Sequence, residues 1–211
     1  MKGAPRTTAG EVRIIGGQWK RSKLTVPVRP GLRPTPDRVR ETLFNWLGQD
    51  LRGLRCLDAF AGSGALGFEA ASRGAVEVLM LELDPGLAAH LRSQAQRLQA
   101  SQVRVQTGDA LAGLRQAPAG AWDVVFLDPP FGDAAQGGNA ALYLAALQAA
   151  RPLLRPDGQL YLEAPRAWGD EELQSLGWHC HRRGRAGTVH HHLLTLTEAG
   201  TAPGAGDNPA L

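Results

Sequence analysis

The chain has 211 residues, 43% of them apolar, which suits one α/β domain with a substantial core and a small appendage. No stretch approaches the ~20 apolar residues of a membrane span, and Met1-Lys2-Gly3-Ala4-Pro5-Arg6 lacks a leader's apolar run, so a cytoplasmic protein is expected. Two cysteines, Cys56 and Cys180, exclude a disulfide scaffold, and no Cys/His spacing predicts a metal.

The net charge of +3 divides unevenly: residues 1–55 hold 12 Lys/Arg against 4 Asp/Glu (+8), and residues 56–211 hold 11 against 16 (−5). A basic arm on a mildly acidic domain is the footprint of a nucleic-acid binder gripping at one end. Residues 1–11 read as a disordered arm. Val12 to Pro27 alternates around Gly16-Gly17, predicting a bent strand or hairpin. Thr35 reads as the N-cap and Pro36 as the first residue of a helix running to about Leu47. Its apolar face is Val39, Leu43, Trp46 and Leu47, with Arg38 and Glu41 opposite and Arg40 near the edge. Residues 12–50 thus form a basic extension, whose expected nucleic-acid-binding residues are Arg13, Lys20, Arg21, Lys23, Arg33 and Arg38. Removing residues 1–25 is expected to weaken nucleic-acid binding and spare the fold.

From Leu54 onward strands and helices alternate, predicting strands near 54–58, 77–82, 103–106, 123–127 and 159–163. Helices are expected near 65–73, 86–99, 110–116 and 142–154. Such alternation gives a Rossmann-like, mostly parallel sheet with helices on both faces. Residues 176–183 and 188–196 close the sheet as an antiparallel pair, making seven strands, with His190-His191-His192 alternating between surface and core. The catalytic domain is placed at 51–198 and a Gly/Pro/Ala-rich tail at 199–211.

Two strand ends carry the chemistry. After Leu54 to Leu57 comes Asp58-Ala59-Phe60-Ala61-Gly62-Ser63-Gly64-Ala65-Leu66-Gly67, and Glu82 follows 20 residues after Gly62. Glycines let backbone approach a ligand at a helix N-terminus, and an acid at that spacing takes ribose hydroxyls. The pattern therefore predicts a nucleoside-containing cofactor. Asp58 would repel a pyrophosphate and attract an ammonium, which favours S-adenosylmethionine over NAD; at ~4 Å such a pair is worth on the order of 4 kcal/mol before desolvation. Asp109, in Thr107-Gly108-Asp109-Ala110, is placed to accept the adenine amine. The second strand, Val124 to Leu127, ends in Asp128-Pro129-Pro130-Phe131. A carboxylate, a proline-fixed carbonyl and a ring together suit a planar exocyclic amine, and two prolines force the strand to stop. Asp58, Glu82, Asp109 and Asp128 thus place four acids on one rim.

The runs Arg13 to Lys20, Gly31 to Leu47 and Cys56 to Gly67, with Asp128 to Phe131, resemble the RsmD-type 16S rRNA (guanine(966)-N2)-methyltransferases of bacteria, the resemblance covering residues 12 to about 197. It implies a class I methyltransferase fold and a monomer. It also implies S-adenosylmethionine as donor, S-adenosylhomocysteine as product, no metal, and 16S rRNA of the assembled or assembling 30S subunit as substrate. Asp128, Pro129, Pro130 and Phe131 then form the catalytic motif. Asp58, Phe60, Ala61, Gly62, Gly64, Glu82, Leu83, Asp109, Ala110 and Asp128 bind the cofactor. Three alternatives stand beside this reading: an adenine N6 methyltransferase, a non-catalytic RNA-binding assembly factor, and a nicotinamide oxidoreductase. The last leaves Asp58, the Asp-Pro-Pro-Phe motif and the basic arm without a role. No cysteine sits near the motif, so covalent C5 methylation lacks its nucleophile.

Overall fold

The computed structural model describes residues 8–29, 32, 34–132 and 139–197; Arg33 and the tail 199–211 lie outside them. Strands β3 (Arg55–Asp58), β4 (Glu77–Glu82), β5 (Val103–Thr107), β6 (Trp122–Leu127), β7 (Leu154–Ala164), β8 (Trp178–Ala186) and β9 (Val189–Leu196) form one sheet. Its order is β5-β4-β3-β6-β7-β9-β8, with β9 alone antiparallel to its neighbours. Successive strand residues point to opposite faces, and that alternation builds two cores. Cys56, Val78, Met80, Val124, Phe126 and Tyr161 face α1 (Asp37–Trp46), α2 (Ala65–Ser72) and α3 (Pro85–Arg97). Leu57, Leu81, Val125, Leu127, Leu160 and Leu162 face α4 (Ala110–Gln116), α5 (Ala140–Ala150) and α6 (Asp170–Ser175). The expected α/β architecture is observed.

The N-terminal extension departs from its expectation. Strand β1 (Thr8–Arg13) pairs with β2 (Lys23–Pro27) from Thr8 onward, so part of the 1–11 segment is ordered strand. Val12, Ile14, Leu24 and Val26 are buried in the same core as α2. Truncation at residue 25 would strip Val12, Ile14 and Leu24 from that core, so the hairpin is not a detachable arm. Arg40, expected near the helix edge, is fully buried. Its guanidinium donates to Glu69 Oε2 (3.2 Å), to the carbonyls of Thr35 (3.2 Å) and Arg13 (2.8 Å), and to Asp37 Oδ1 (2.6 Å). Glu69 on α2 also accepts the amides of Ile15 and Gly16, both at 2.8 Å, and Arg73 Nε at 2.8 Å. One buried carboxylate thus joins hairpin, α1 and α2.

The histidine run also differs from a simple surface–core alternation. His190 is half-buried, but His191 and His192 are both buried, because β9 lies inside the sheet and both its faces are covered. His191 packs on Trp46 with ring centroids 5.3 Å apart, and His192 Nε2 accepts the Trp168 amide at 3.2 Å. Burial lowers the His192 pKa to about 4, so the ring is neutral at physiological pH.

Candidate active site

The chain leaves β3 for β4 on one side, while β6 pairs on the other, which makes the carboxyl ends of β3 and β6 the topological switch point where ligands bind in open α/β sheets. Asp58 ends β3, and Asp128 follows β6. Between β3 and α2 the chain turns tightly: Ala61 N–H donates to the Leu81 carbonyl (3.0 Å) and Gly64 N–H to that of Ala61 (2.7 Å). Gly64 caps α2 at φ 77°, a conformation that disfavours side chains, and a Cβ there would sit 2.6 Å from Leu91. At Gly67 a Cβ would lie 2.4 Å from Met80 and 3.2 Å from the Asp58 carboxylate, so helix and acid meet only because glycine is present.

Asp58 is 2% exposed and accepts the Gly67 amide at 3.0 Å, with a further bond from the Phe60 amide. Burial raises its pKa to about 7; the amides oppose the rise and the Glu82 charge adds to it. Glu82 uses one lone pair of each oxygen on the loops, accepting Gly62 N–H and Asp84 N–H, both at 2.8 Å, and among the described residues the others are free. Asp109 is exposed and caps α4 through Oδ1, which accepts Ala112 N–H at 2.8 Å, leaving Oδ2 open. Beside them Leu83 is 69% exposed, a large apolar side chain at a polar rim. Phe60 and Gly62 are half-buried, while Ala61, Gly64 and Ala110 are buried.

Around Asp128 the structure brings together residues that sequence reading did not connect. Glu163, near the end of β7, is buried beside it and accepts the Tyr161 hydroxyl at 2.9 Å. Thr35, expected as an N-cap, instead lies with its hydroxyl beside the carboxylates of Asp128 and Glu163, and its single proton serves one of them at a time, while Pro36 caps α1 with no side-chain bond. A hydrogen bond to a carboxylate is roughly twice as strong as one to a neutral partner, so the acids outcompete the helix end. Burial, then the Glu163 and Asp58 charges, push the Asp128 pKa well above the usual carboxylate range, with the Thr35 bond opposing. Glu163 is raised too, mainly by burial. The motif behind Asp128 is braced: Tyr143 O–H donates to the Pro129 carbonyl (3.1 Å) and Asn139 Nδ2 to that of Pro130 (2.7 Å). Phe131 is half-buried and packs against the α5 side of the core. Among the described residues no Lys or Arg forms an ion pair with Asp58, Asp128 or Glu163. No group of three His, Cys, Asp or Glu there is arranged to hold a metal, and no helix there is long and apolar enough to cross a membrane.

Arg13 pairs in register with Lys23 across the hairpin and Lys20 and Arg21 lie in the turn that joins its strands, while Arg38 is on α1. Arg13, Lys20, Arg21, Lys23 and Arg38 are all exposed. The turn holding Lys20 and Arg21 is fastened to the last turn of α2, where Gln18 N–H and Trp19 N–H donate to the Ser72 carbonyl (2.8 Å) and hydroxyl (2.9 Å). The glycine loop is at the other end of that eight-residue helix, roughly 12 Å away at 1.5 Å per residue. Lys23 is paired with Glu11 at 2.7 Å.

Residues 12–195 match the family described as conserved hypothetical protein 95. This chain belongs to the RsmD-type family. Ribosomal RNA small subunit methyltransferase D of Escherichia coli K12 is 48% identical over 131 residues, 62% of this chain; the match spans 66% of that protein, just under two thirds of its length. The Haemophilus influenzae protein of the same name is 46% identical over 157 residues, 73% of this chain and 79% of its own. Among solved structures, the Escherichia coli protein yhhF, assigned as a methyltransferase, aligns with TM-score 0.72 at 36% identity over 89% of this chain and 99% of its own. These RsmD-type relatives share the fold seen here, a class I methyltransferase sheet with helices on both faces.

Proposed function

We propose that this chain transfers the methyl group of S-adenosylmethionine to the exocyclic N2 of a guanine in 16S rRNA. One observation carries the chemistry: three buried carboxylates, Asp58, Asp128 and Glu163, stand side by side at the switch point with no protein cation among the described residues to neutralise them. Like charges buried together raise one another's proton affinity and suit a cationic ligand. S-adenosylmethionine, which supplies an electrophilic methyl on a sulfonium, also brings an ammonium group, and the donor set fits it. Asp58 holds the ammonium, the free lone pairs of Glu82 take the ribose hydroxyls, and Asp109 Oδ2 accepts the adenine amine. Leu83 and Ala110 supply apolar contact for the ring, while Phe60, Ala61, Gly62 and Gly64 bring backbone close to the ligand.

The guanine amine is a weak nucleophile because its lone pair is delocalised into the ring. Asp128 and the second lone pair of the Pro129 carbonyl accept its two hydrogens, localise that lone pair and aim it at the methyl carbon. Pro130 rigidifies this carbonyl, and Phe131 stacks on the base once it is turned out of the RNA helix. The proton that the amine loses passes to Asp128, whose raised proton affinity suits it to that role. The enzyme acts as a monomer in the cytoplasm, on the assembled or assembling 30S subunit. A methyl-transfer assay on purified small subunits, naked rRNA and DNA, with nucleosides identified by mass, tests the reading. N2-methylguanine from ribosomal substrate is expected; N6-methyladenine, or transfer to DNA alone, would overturn it.

A further inference from the structure

We propose that the exposed edge strand β8, through Arg182 and Arg185, is a contact surface for the rRNA backbone on the same rim as the target amine; this rests on RNA being the substrate. Sheet register sets the placement. Leu127 pairs with Leu162, so Asp128 and Glu163 end adjacent strands; Glu163 pairs with His191, His191 with Gly184, and His190 with Arg185. Arg185 therefore stands three strand spacings from the Asp128 position, roughly 14 Å at 4.7–4.9 Å each.

Charge supplies the second argument. Residues 173–197 contain three arginines and five histidines and no acid, although residues 56–211 as a whole carry net −5. Arg182, Arg183 and Arg185 are exposed on the outermost strand; Arg182 lies in the row of Phe126 on the face of Glu163 and Arg185 on the opposite face with Arg183, so the two flank the free edge from either side. Arg183 is paired with Asp170, whereas among the described residues Arg182 and Arg185 have no carboxylate partner. Arg185 Nε donates only to the Gly187 carbonyl, at 2.8 Å. A polyanion approaching a rim lined by Asp58, Glu82, Asp109, Asp128 and Glu163 is repelled unless cations flank it. Lys20 and Arg21 are fixed at the opposite end of α2 and cannot supply that flank. An edge strand also leaves backbone groups unpaired, and bare arginines there both discourage strand addition and suit phosphates.

The test compares Arg182→Gln/Arg185→Gln with Lys20→Gln/Arg21→Gln, using small-subunit rRNA transcript and intact small subunits as probes. Each lost phosphate contact should flatten log affinity against log salt by roughly 0.7–0.9, so the β8 double variant should lose about 1.5 from the slope. Its KM for RNA should rise about tenfold with kcat kept, the mark of lost uniform binding. Its thermal midpoint and cofactor affinity should match wild type. An unchanged slope and KM in the β8 variant would overturn the surface. A wild type that transfers no methyl group to ribosomal RNA, with the slope still flattened by the β8 changes, would overturn the assigned reaction and support the surface.

Discussion

Glu69 and Glu163 are buried to nearly the same depth, 0% and 4% exposed, on the same face of the sheet, yet their surroundings are opposite. Glu69 accepts two backbone amides and two guanidinium groups, so each oxygen has partners and its charge is balanced. Glu163 meets a tyrosine and a threonine hydroxyl and another carboxylate, with no cation among the described residues. Charge burial is tolerated when paired and costly when not. The first arrangement holds three elements together. The second is left unbalanced at the proposed cofactor rim, and that asymmetry separates the structural acid from the proposed catalytic cluster.

The comparison breaks first at Glu69. Glu69→Ala leaves Arg40 buried without its carboxylate and frees the amides of Ile15 and Gly16, so denaturant unfolding should show a loss of about 3–5 kcal/mol. A loss below about 1 kcal/mol would mean that the hub contributes little and the contrast is only geometric. At the other cluster the signs reverse. Asp128→Asn removes a repelling charge, so stability at pH 8 should hold or rise, while turnover should fall about 10²–10³-fold, as when one transition-state partner is lost. Cofactor binding measured by calorimetry should persist. Turnover near wild type would reduce Asp128 to a turn residue.

Four of the rim acids were legible from the strands they follow: Asp58, Glu82 and Asp128 after apolar runs, and Asp109 after the short alternating run Val103-Arg104-Val105-Gln106. Glu163 has the same signature, Tyr161-Leu162-Glu163-Ala164-Pro165, and ends the expected strand 159–163, but nothing local shows that it meets Asp128 on the neighbouring strand. Thr35 was misread because Thr-Pro-Asp is good local capping chemistry, and nothing local reveals two carboxylates waiting across the fold. Arg40 looked like a surface residue since its partner lies 29 positions away on another helix. The locations of Lys20 and Arg21 are tertiary facts; composition shows a basic segment but not which end of α2 it reaches.

Asp58 sharpens the contrast through pH. With its pKa raised to about 7 in the folded state, the protonated form is favoured by folding, so its contribution to stability is full at low pH and is lost as pH rises through 7. A bound ammonium prefers the ionised form, so affinity for S-adenosylmethionine should strengthen with pH, by up to about tenfold per unit, and level off above 7. Titration calorimetry from pH 5 to 8 on wild type and Asp58→Asn measures this. The variant should bind more weakly by about 1.5–3 kcal/mol with that pH slope removed. An identical slope in both would assign the linkage to Asp128 or Glu163.

The smallest effect is expected at Thr35, where Val replaces the hydroxyl at nearly constant volume. The lost hydrogen bond favoured the ionised forms of Asp128 and Glu163, so both pKa values should climb further. In the proposed reaction Asp128 must be ionised to accept the amine hydrogens, and the acid limb of the kcat/KM profile should therefore move upward. A hydrogen bond to a charged group is worth about 1.5–3 kcal/mol, and one pH unit corresponds to about 1.4 kcal/mol. Shared between two acids, it predicts a displacement of about one unit, with the alkaline plateau nearly unchanged. A lowered plateau with an unmoved limb would instead mean that Thr35 shapes the site by packing alone. In that case Glu163, not the hydroxyl, governs when Asp128 loses its proton, and Glu163→Gln should shift the limb downward by removing the repelling charge.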